Sequence, residues 1–300
     1  KFGLKWVLRL GIILLGIRLS LGDVLRLGAV GVPLVMFCIA GAIVFTRWLS
    51  NRLGLSGRMG TLIAVGTSIC GTSAIVATGP AIEAKDEEMT YAIANITLFG
   101  VLAMFLYPFL AHGIFADDLQ QAGLFLGTSI HETAQVAGSG LIYADQYNAA
   151  ETLDVATITK LVRNVLIAVV IPLMSYQYHR QQRHSHGERK SINPLSLFPL
   201  FILGFLLMAV VRSVGDATLD SSGSAYGVFS AADWDALVDV IRQAAEISLA
   251  VAMAGVGLGT TFRQLQGLGL KPFIVGLGAS VAVGGFSLAG ILVLSGLGLT

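Results

Sequence analysis

Charge is scarce in this 300-residue chain. Asp, Glu, Lys and Arg make up 12% of it, where a soluble domain carries about 25%. So little charge cannot clothe a water-facing surface, and a bilayer becomes the natural solvent. Charge of one sign is also missing. The 19 basic and 18 acidic residues leave a net charge of +1, which provides no field for nucleic acid. Cysteine is nearly absent. Cys38 and Cys70 both sit in apolar segments, and two cysteines make neither a disulfide framework nor the usual zinc site. There is no Met at Lys1 and the chain opens within a few residues of an apolar helix, so trimming at its N-terminus is expected, with no signal-peptide pattern in what remains.

What is abundant is apolar sequence. Hydrophobic residues make up 55% and glycine contributes 36 positions. Membrane helices tolerate glycine and use it for close packing. A membrane helix needs about 20 mostly apolar residues. Nine segments meet that measure, near 4–21, 28–49, 59–83, 89–111, 119–143, 154–179, 194–213, 236–261 and 270–297. The expected fold is therefore all-α and polytopic. Lys and Arg are retained on the cytoplasmic side. Nine alternating spans put the basic stretches Lys1–Arg9, Arg47–Arg58, Arg180–Lys190 and Arg263–Lys271 on one face. The acidic stretches Asp86–Glu88, Asp145–Asp154 and Asp216–Asp239 fall on the other. The Asp117–Asp118 turn is the exception. This puts the N-terminus inside and Thr300 outside.

Two internal matches bear on architecture. A shift of 239 residues pairs Leu10 with Leu249, Gly16 with Gly255, Leu19 with Leu258, Gly28 with Gly267 and Pro33 with Pro272. In the nine-span topology those copies run in opposite directions, as in inverted-repeat transporters. The second match is sharper. Gly66-Thr67-Ser68-Ile69 recurs as Gly127-Thr128-Ser129-Ile130, with Thr72 then matching Thr133 and Gly79 matching Gly140.

These recurring motifs are the candidate site. Gly66-Thr-Ser-Ile-Cys-Gly-Thr-Ser73 places two glycines and four hydroxyl residues in the middle of an apolar segment. A helix broken there survives only where protein or a wet cavity satisfies its backbone. A half-helix N-terminus offers free N–H groups and partial positive charge, which suit an anion. A continuous Ser/Thr/Gly helix interface is the alternative. The second copy adds His131, Glu132 and Gln135. Ionisable residues deep in a span mark function by default, and His carries a proton near neutral pH. Lys160 and Arg163 share one face of the following helix and must meet Glu132, another acid or a bound anion. Arg18, near the end of its segment, is expected to snorkel. Glu246 is a further candidate partner for a buried base.

The run Leu8-Arg9-Leu10-Gly11-Ile12 with Leu15-Gly16-Ile17-Arg18-Leu19, then Gly66-Thr-Ser-Ile-Cys-Gly71, Ser129-Ile-His-Glu-Thr-Ala-Gln-Val136 and Lys160-Leu-Val-Arg163 resembles the YeiH-type bacterial sulfate exporter family. The motifs keep the family's order and cover most of the chain. The resemblance implies a multi-pass inner-membrane protein of the bile acid/arsenite/riboflavin transporter superfamily. That superfamily has a core domain with crossing broken helices and a flatter panel domain. It implies two further helices before Leu8, hence eleven spans in an intact protein. Residues 1–55 and 236–300 would form the panel, 56–193 the core with broken helices at 59–83 and 119–143, and 194–235 a connecting span and outer loop. Gly71-Thr-Ser73 departs from the family, where Ala is commoner. Sulfate is a label carried by the family's name.

The resulting expectation is a secondary transporter that exports a small anion and is neither an enzyme nor dependent on a cofactor or metal. Thr67, Ser68, Cys70, Gly71, Thr72, Ser73, Thr128 and Ser129 would bind substrate, with Lys160 and Arg163 supplying charge. His131, Glu132 and Gln135 would couple transport to protons or sodium. The partners are the anion, the coupling ion and the lipid bilayer, with a homodimer left open and nucleic acid excluded. An anion channel is the first rival. A membrane receptor or enzyme subunit is the second.

Overall fold

Residues 2–115, 118–181, 201–259 and 269–297 are described by a computed structural model. They form α-helices joined by short turns, with no strand among the described residues. Helix α1 (Phe2–Leu15) closes in a 3-10 turn, Gly16–Arg18, before α2 (Leu21–Arg52). Next come α3 (Gly57–Ser68), α4 (Thr72–Thr78) and α5 (Asp86–Phe115). Helices α6 (Leu119–Ser129), α7 (Thr133–Tyr147), α8 (Ala150–Val165) and α9 (Ile167–Gln181) follow. The chain resumes with α10 (Phe201–Ser222), α11 (Ala231–Gly259) and α12 (Leu270–Gly296).

Local chemistry fixes several of these ends. The Ser56 side chain caps α3 by accepting from the Met59 N–H at 3.1 Å, and Asp118 caps α6 by accepting from the Gln121 N–H at 2.9 Å. Asp86, Glu87 and Glu88 occupy the first turn of α5, where carboxylates oppose the helix dipole. Asn148 ends α7 in the left-handed region at φ 50°.

Four described helical stretches are long and apolar enough to cross a membrane: Val24–Arg52, Asp86–Phe115, Phe201–Ser222 and Leu270–Gly296. A fifth crossing arises if Ala150–Val165 and Val169–Tyr178, bent by 45°, count as one. The molecule is thus an all-helical, multi-pass membrane protein. The expected 194–213 segment is shifted, because α10 runs on to Ser222. Arg212 pairs with Asp216 one turn later at 2.7 Å, and Trp234 Nε1 donates to the same carboxylate at 2.8 Å. Acidic residues read as loop therefore lie on helix, and the link to α11 shrinks to residues 223–230. Asp117, residues 182–193, the start of the 194–213 segment and the 260–268 stretch with Arg263 and Gly267 lie outside the described residues.

Helix α8 is the axis of the packing. It lies against α6, α7 and α2. Helix α1 packs on α10 and α11, while α2 packs on α12. Twelve residues of α8 are buried, Asp154, Lys160 and Arg163 among them.

Candidate functional site

The first interruption separates α3 from α4. Ile69 leaves helical geometry at φ −119°, ψ −92°, and Gly71 turns the chain at φ 65°, ψ −124°, a region that side chains avoid. Glycine has a second reason to stand here. A Cβ at Gly71 would collide with the Glu132 side chain. The second interruption separates α6 from α7, with Ile130 and Glu132 extended at ψ 141° and ψ 145°. The two breaks, 61 positions apart in sequence, meet across this Gly71–Glu132 contact.

Helix α8 binds both breaks from one side. It approaches α6 closely because Gly123 and Gly127 present bare backbone. A Cβ on Gly127 would lie 2.7 Å from the Ala156 carbonyl oxygen. Arg163 then reaches four carbonyls. Its Nε donates to Ser68 at 2.7 Å and Nη2 to Thr67 at 2.5 Å, while Nη1 donates to Thr128 at 2.7 Å and Ile130 at 3.1 Å. Lys160 Nζ donates to the carbonyls of Ile69 at 2.8 Å, Ile130 at 3.0 Å and His131. Thr67 and Thr128 are equivalent in the two motif copies, as are Ile69 and Ile130. Each cation therefore holds matching carbonyls from both copies.

All these carbonyls but that of His131, which lies in the second break, belong to the C-terminal ends of α3 and α6, which carry partial negative charge and orphan acceptors. The arrangement inverts the expected one. Lys160 and Arg163 were expected to face an acid or a bound anion. Among the described residues neither makes an ion pair within 4.0 Å, and both side chains are wholly buried. Backbone dipoles solvate their charge without neutralising it, through hydrogen bonds worth about 1.5–3 kcal/mol each for a charged donor.

The carboxylate serves the opposite ends. Glu132 Oε1 accepts the Thr72 N–H at 3.2 Å and the Thr72 hydroxyl, so it sits on the first residue of α4. Its own N–H donates to Gln135 Oε1 at 3.3 Å, and Gln135 Nε2 donates to the Thr97 carbonyl at 3.3 Å. Glu132, Thr72 and Thr133 are half-buried and Ser73 is exposed, whereas His131 and Gln135 are buried. Cys70 is buried beside them as a free thiol.

The other hydroxyls turn away. Thr67 donates to Ile63 O at 2.8 Å, Ser68 to Val65 O at 3.5 Å, Thr128 to Leu124 O at 2.7 Å and Ser129 to Phe125 O. All four are fully buried. A helical Ser or Thr readily bonds the carbonyl one turn back, which sets these four apart from Thr72 and Ser73.

Several residues of the site had not been singled out. Asn164 Nδ2 donates to Thr133 Oγ1 at 3.1 Å, beside the Glu132 carboxylate. From α12, Ser280 Oγ lies 2.9 Å from His131 Nε2, and Ser287 Oγ lies 2.5 Å from Thr128 Oγ1. The available signal was spacing. Gly276, Ser280, Gly284 and Ser287 recur at helical intervals in an otherwise apolar segment.

Arg18 does not snorkel. Its side chain is only 6% exposed and bridges two acids, Asp154 of α8 at 2.8 Å and Glu246 of α11 at 3.0 Å. Glu246 does partner a buried base, and that base is Arg18. This cluster ties the α1 turn and α11 to α8.

Two interrupted helices that meet at their breaks, buried cations without acid partners among the described residues and a part-exposed carboxylate define a class: polytopic helical membrane proteins with a polar centre built from broken helices. The chain matches the model of the family described as "Conserved hypothetical protein 698" over residues 1–276. It is 31% identical over 275 residues to a UPF0324 membrane protein of Streptococcus agalactiae, covering 92% of this chain and 76% of that one. Identity is 33% over 289 residues, with 96% and 76% covered, to a UPF0324 membrane protein of Corynebacterium glutamicum. It is 32% over 282 residues, with 91% and 72% covered, to one of Pseudomonas aeruginosa. The chain belongs to this UPF0324 membrane protein family. No solved structure matches it.

Proposed function

We propose that this chain is a secondary transporter of the bacterial inner membrane that carries a small anion through the crossing of its two broken helices. The observation that carries the reading is the charge at that crossing. Lys160 and Arg163 bring two positive charges and Glu132 one negative, so the buried centre is net positive by one. A positive, low-dielectric centre draws an anion. The two cations act through that field and hold the breaks in place. Thr72, Ser73 and Thr133, on the part-exposed side, are the donors offered to substrate, with the buried Asn164 holding Thr133 from behind. Sulfate and related sulfur oxyanions or organic anions are the candidate class, by the resemblance noted above.

Glu132 is the coupling group in this reading. Ionised, it engages the Thr72 N–H and hydroxyl. Protonated, it raises the centre to net +2 and loosens its hold on those donors. Proton and anion then travel together. With one proton per divalent anion the pair carries net −1, and its export would draw on the membrane potential, which supplies about 2.3 kcal/mol per net charge per 100 mV. The wider architecture in this reading has nine spans here, an inverted repeat and a panel of residues 1–55 and 236–300 against a core of 56–193. The packing of α1 on α11 and of α2 on α12 supports it, since these are the elements that the 239-residue shift relates.

Proteoliposomes test the proposal. Labelled sulfate and thiosulfate should show saturable uptake and counterflow, faster at lower pH. Linear, unsaturable flux without counterflow would establish a channel instead. Uptake by Glu132→Gln with wild-type pH dependence would remove Glu132 from coupling.

A further inference from the structure

A buried lysine in a membrane protein ordinarily pairs with an acid. Lys160 does not. Its ammonium has three N–H donors and three partners, the carbonyls of Ile69, Ile130 and His131, and every one is backbone. Those oxygens come from two separate breaks and converge on one point in a wholly buried place. Convergent backbone carbonyls replacing a hydration shell are how proteins hold a bare alkali cation. An ammonium of one charge with carbonyl oxygens at 2.8 and 3.0 Å meets the same demand.

We propose that Lys160 is a tethered cation occupying an alkali-ion site formed by the two breaks, so that no free sodium or potassium ion binds there. The Ile130 carbonyl also accepts from Arg163 at 3.1 Å, so the Ile69 and His131 carbonyls are the two whose side-chain donor is Lys160 alone among the described residues. Holding the cation covalently makes the crossing independent of external salt. The consequence for coupling rests on the transporter reading. A cation site at the crossing is permanently filled, which leaves the proton on Glu132 as the mobile coupling charge.

The test uses thermal unfolding of the purified full chain in NaCl, KCl and choline chloride at one ionic strength, and so does not depend on transport. Lys160→Ala should empty the site and leave its three carbonyls. Its melting temperature should fall in choline and recover by several degrees in NaCl or KCl, saturably. Lys160→Met fills the space without charge and should melt low in all three salts. Wild type should show no preference among them. The proposal is overturned if wild type is itself stabilised specifically by sodium or potassium, or if Lys160→Ala responds alike to choline and the alkali salts. If Lys160→Ala does not survive extraction, wild type decides. Indifference to the cation there supports the tethered charge, and sodium-specific stabilisation sinks it. Absence of transport in every liposome preparation would remove the transporter reading and leave the melting result standing.

Discussion

The side chain of Glu132 fills the space that the missing Cβ of Gly71 leaves open. One break is thereby keyed into the other. Gly71→Ala must both displace Glu132 and force alanine to φ 65°, a region costing about 1–3 kcal/mol for a side-chain-bearing residue. The variant should lower the melting midpoint in detergent strongly. Glu132→Ala in the same chain should recover the steric part and leave the backbone part. A double-mutant cycle should therefore give a favourable coupling of about 0.5–3 kcal/mol. Strict additivity of the two changes would refute the keyed contact.

Arg163 and Lys160 should not tolerate exchange. Arg163 serves four carbonyls through a planar fork spanning Ser68, Thr67, Thr128 and Ile130. A lysine there has three donors at one point and cannot serve all four of the carbonyls that the separated Nε, Nη1 and Nη2 reach. Each carbonyl left buried without a donor costs about 1–3 kcal/mol. Arg163→Lys should therefore destabilise the protein by several such steps in reversible unfolding. A loss no larger than that of a surface Arg→Lys change would contradict the fork.

The breaks were legible in the sequence because unwound backbone demands glycine and hydroxyl residues, and the motif Gly-Thr-Ser-Ile stands twice. The roles inside them were not. A hydroxyl on the last helical turn looks the same whether it faces substrate or its own i−4 carbonyl, and Thr67 and Thr128 do the latter. Lys160 and Arg163 read as partners for an acid because sequence shows side chains and hides the helix-end carbonyls that receive them. Arg18 read as a snorkelling residue from its place near a segment end, while its acids lie 136 and 228 positions away. Ser280 and Ser287 are single hydroxyls in an apolar helix, and only the fold shows which neighbours they meet.

The Arg18 cluster makes its own prediction. Removing one partner of a buried ion pair costs about 3–5 kcal/mol, whereas replacing the set by apolar residues is often neutral. Arg18→Met should strand Asp154, whose side chain is 12% exposed, more than Glu246, which is 42% exposed. Adding Asp154→Leu to Arg18→Met should recover most of the lost stability, and adding Glu246→Gln should recover less. Equal recovery from either addition in thermal unfolding would show that the Asp154 contact is not the dominant one.

The two serines of α12 should differ in a stated order. Ser280 is the side-chain partner of His131 Nε2, so Ser280→Ala leaves that nitrogen buried and unpaired, at a cost of about 1–3 kcal/mol. Thr128 keeps its bond to the Leu124 carbonyl when Ser287 is removed, so Ser287→Ala orphans nothing and should cost less. The first change also releases the second break from α12. Amide exchange at residues 130–132 should then quicken in Ser280→Ala, because local opening takes less free energy where fewer contacts hold the backbone. In Ser287→Ala those amides should exchange near the wild-type rate. Equal exchange in both variants, or the greater loss of stability in Ser287→Ala, would show that α12 does not fix the second break through Ser280.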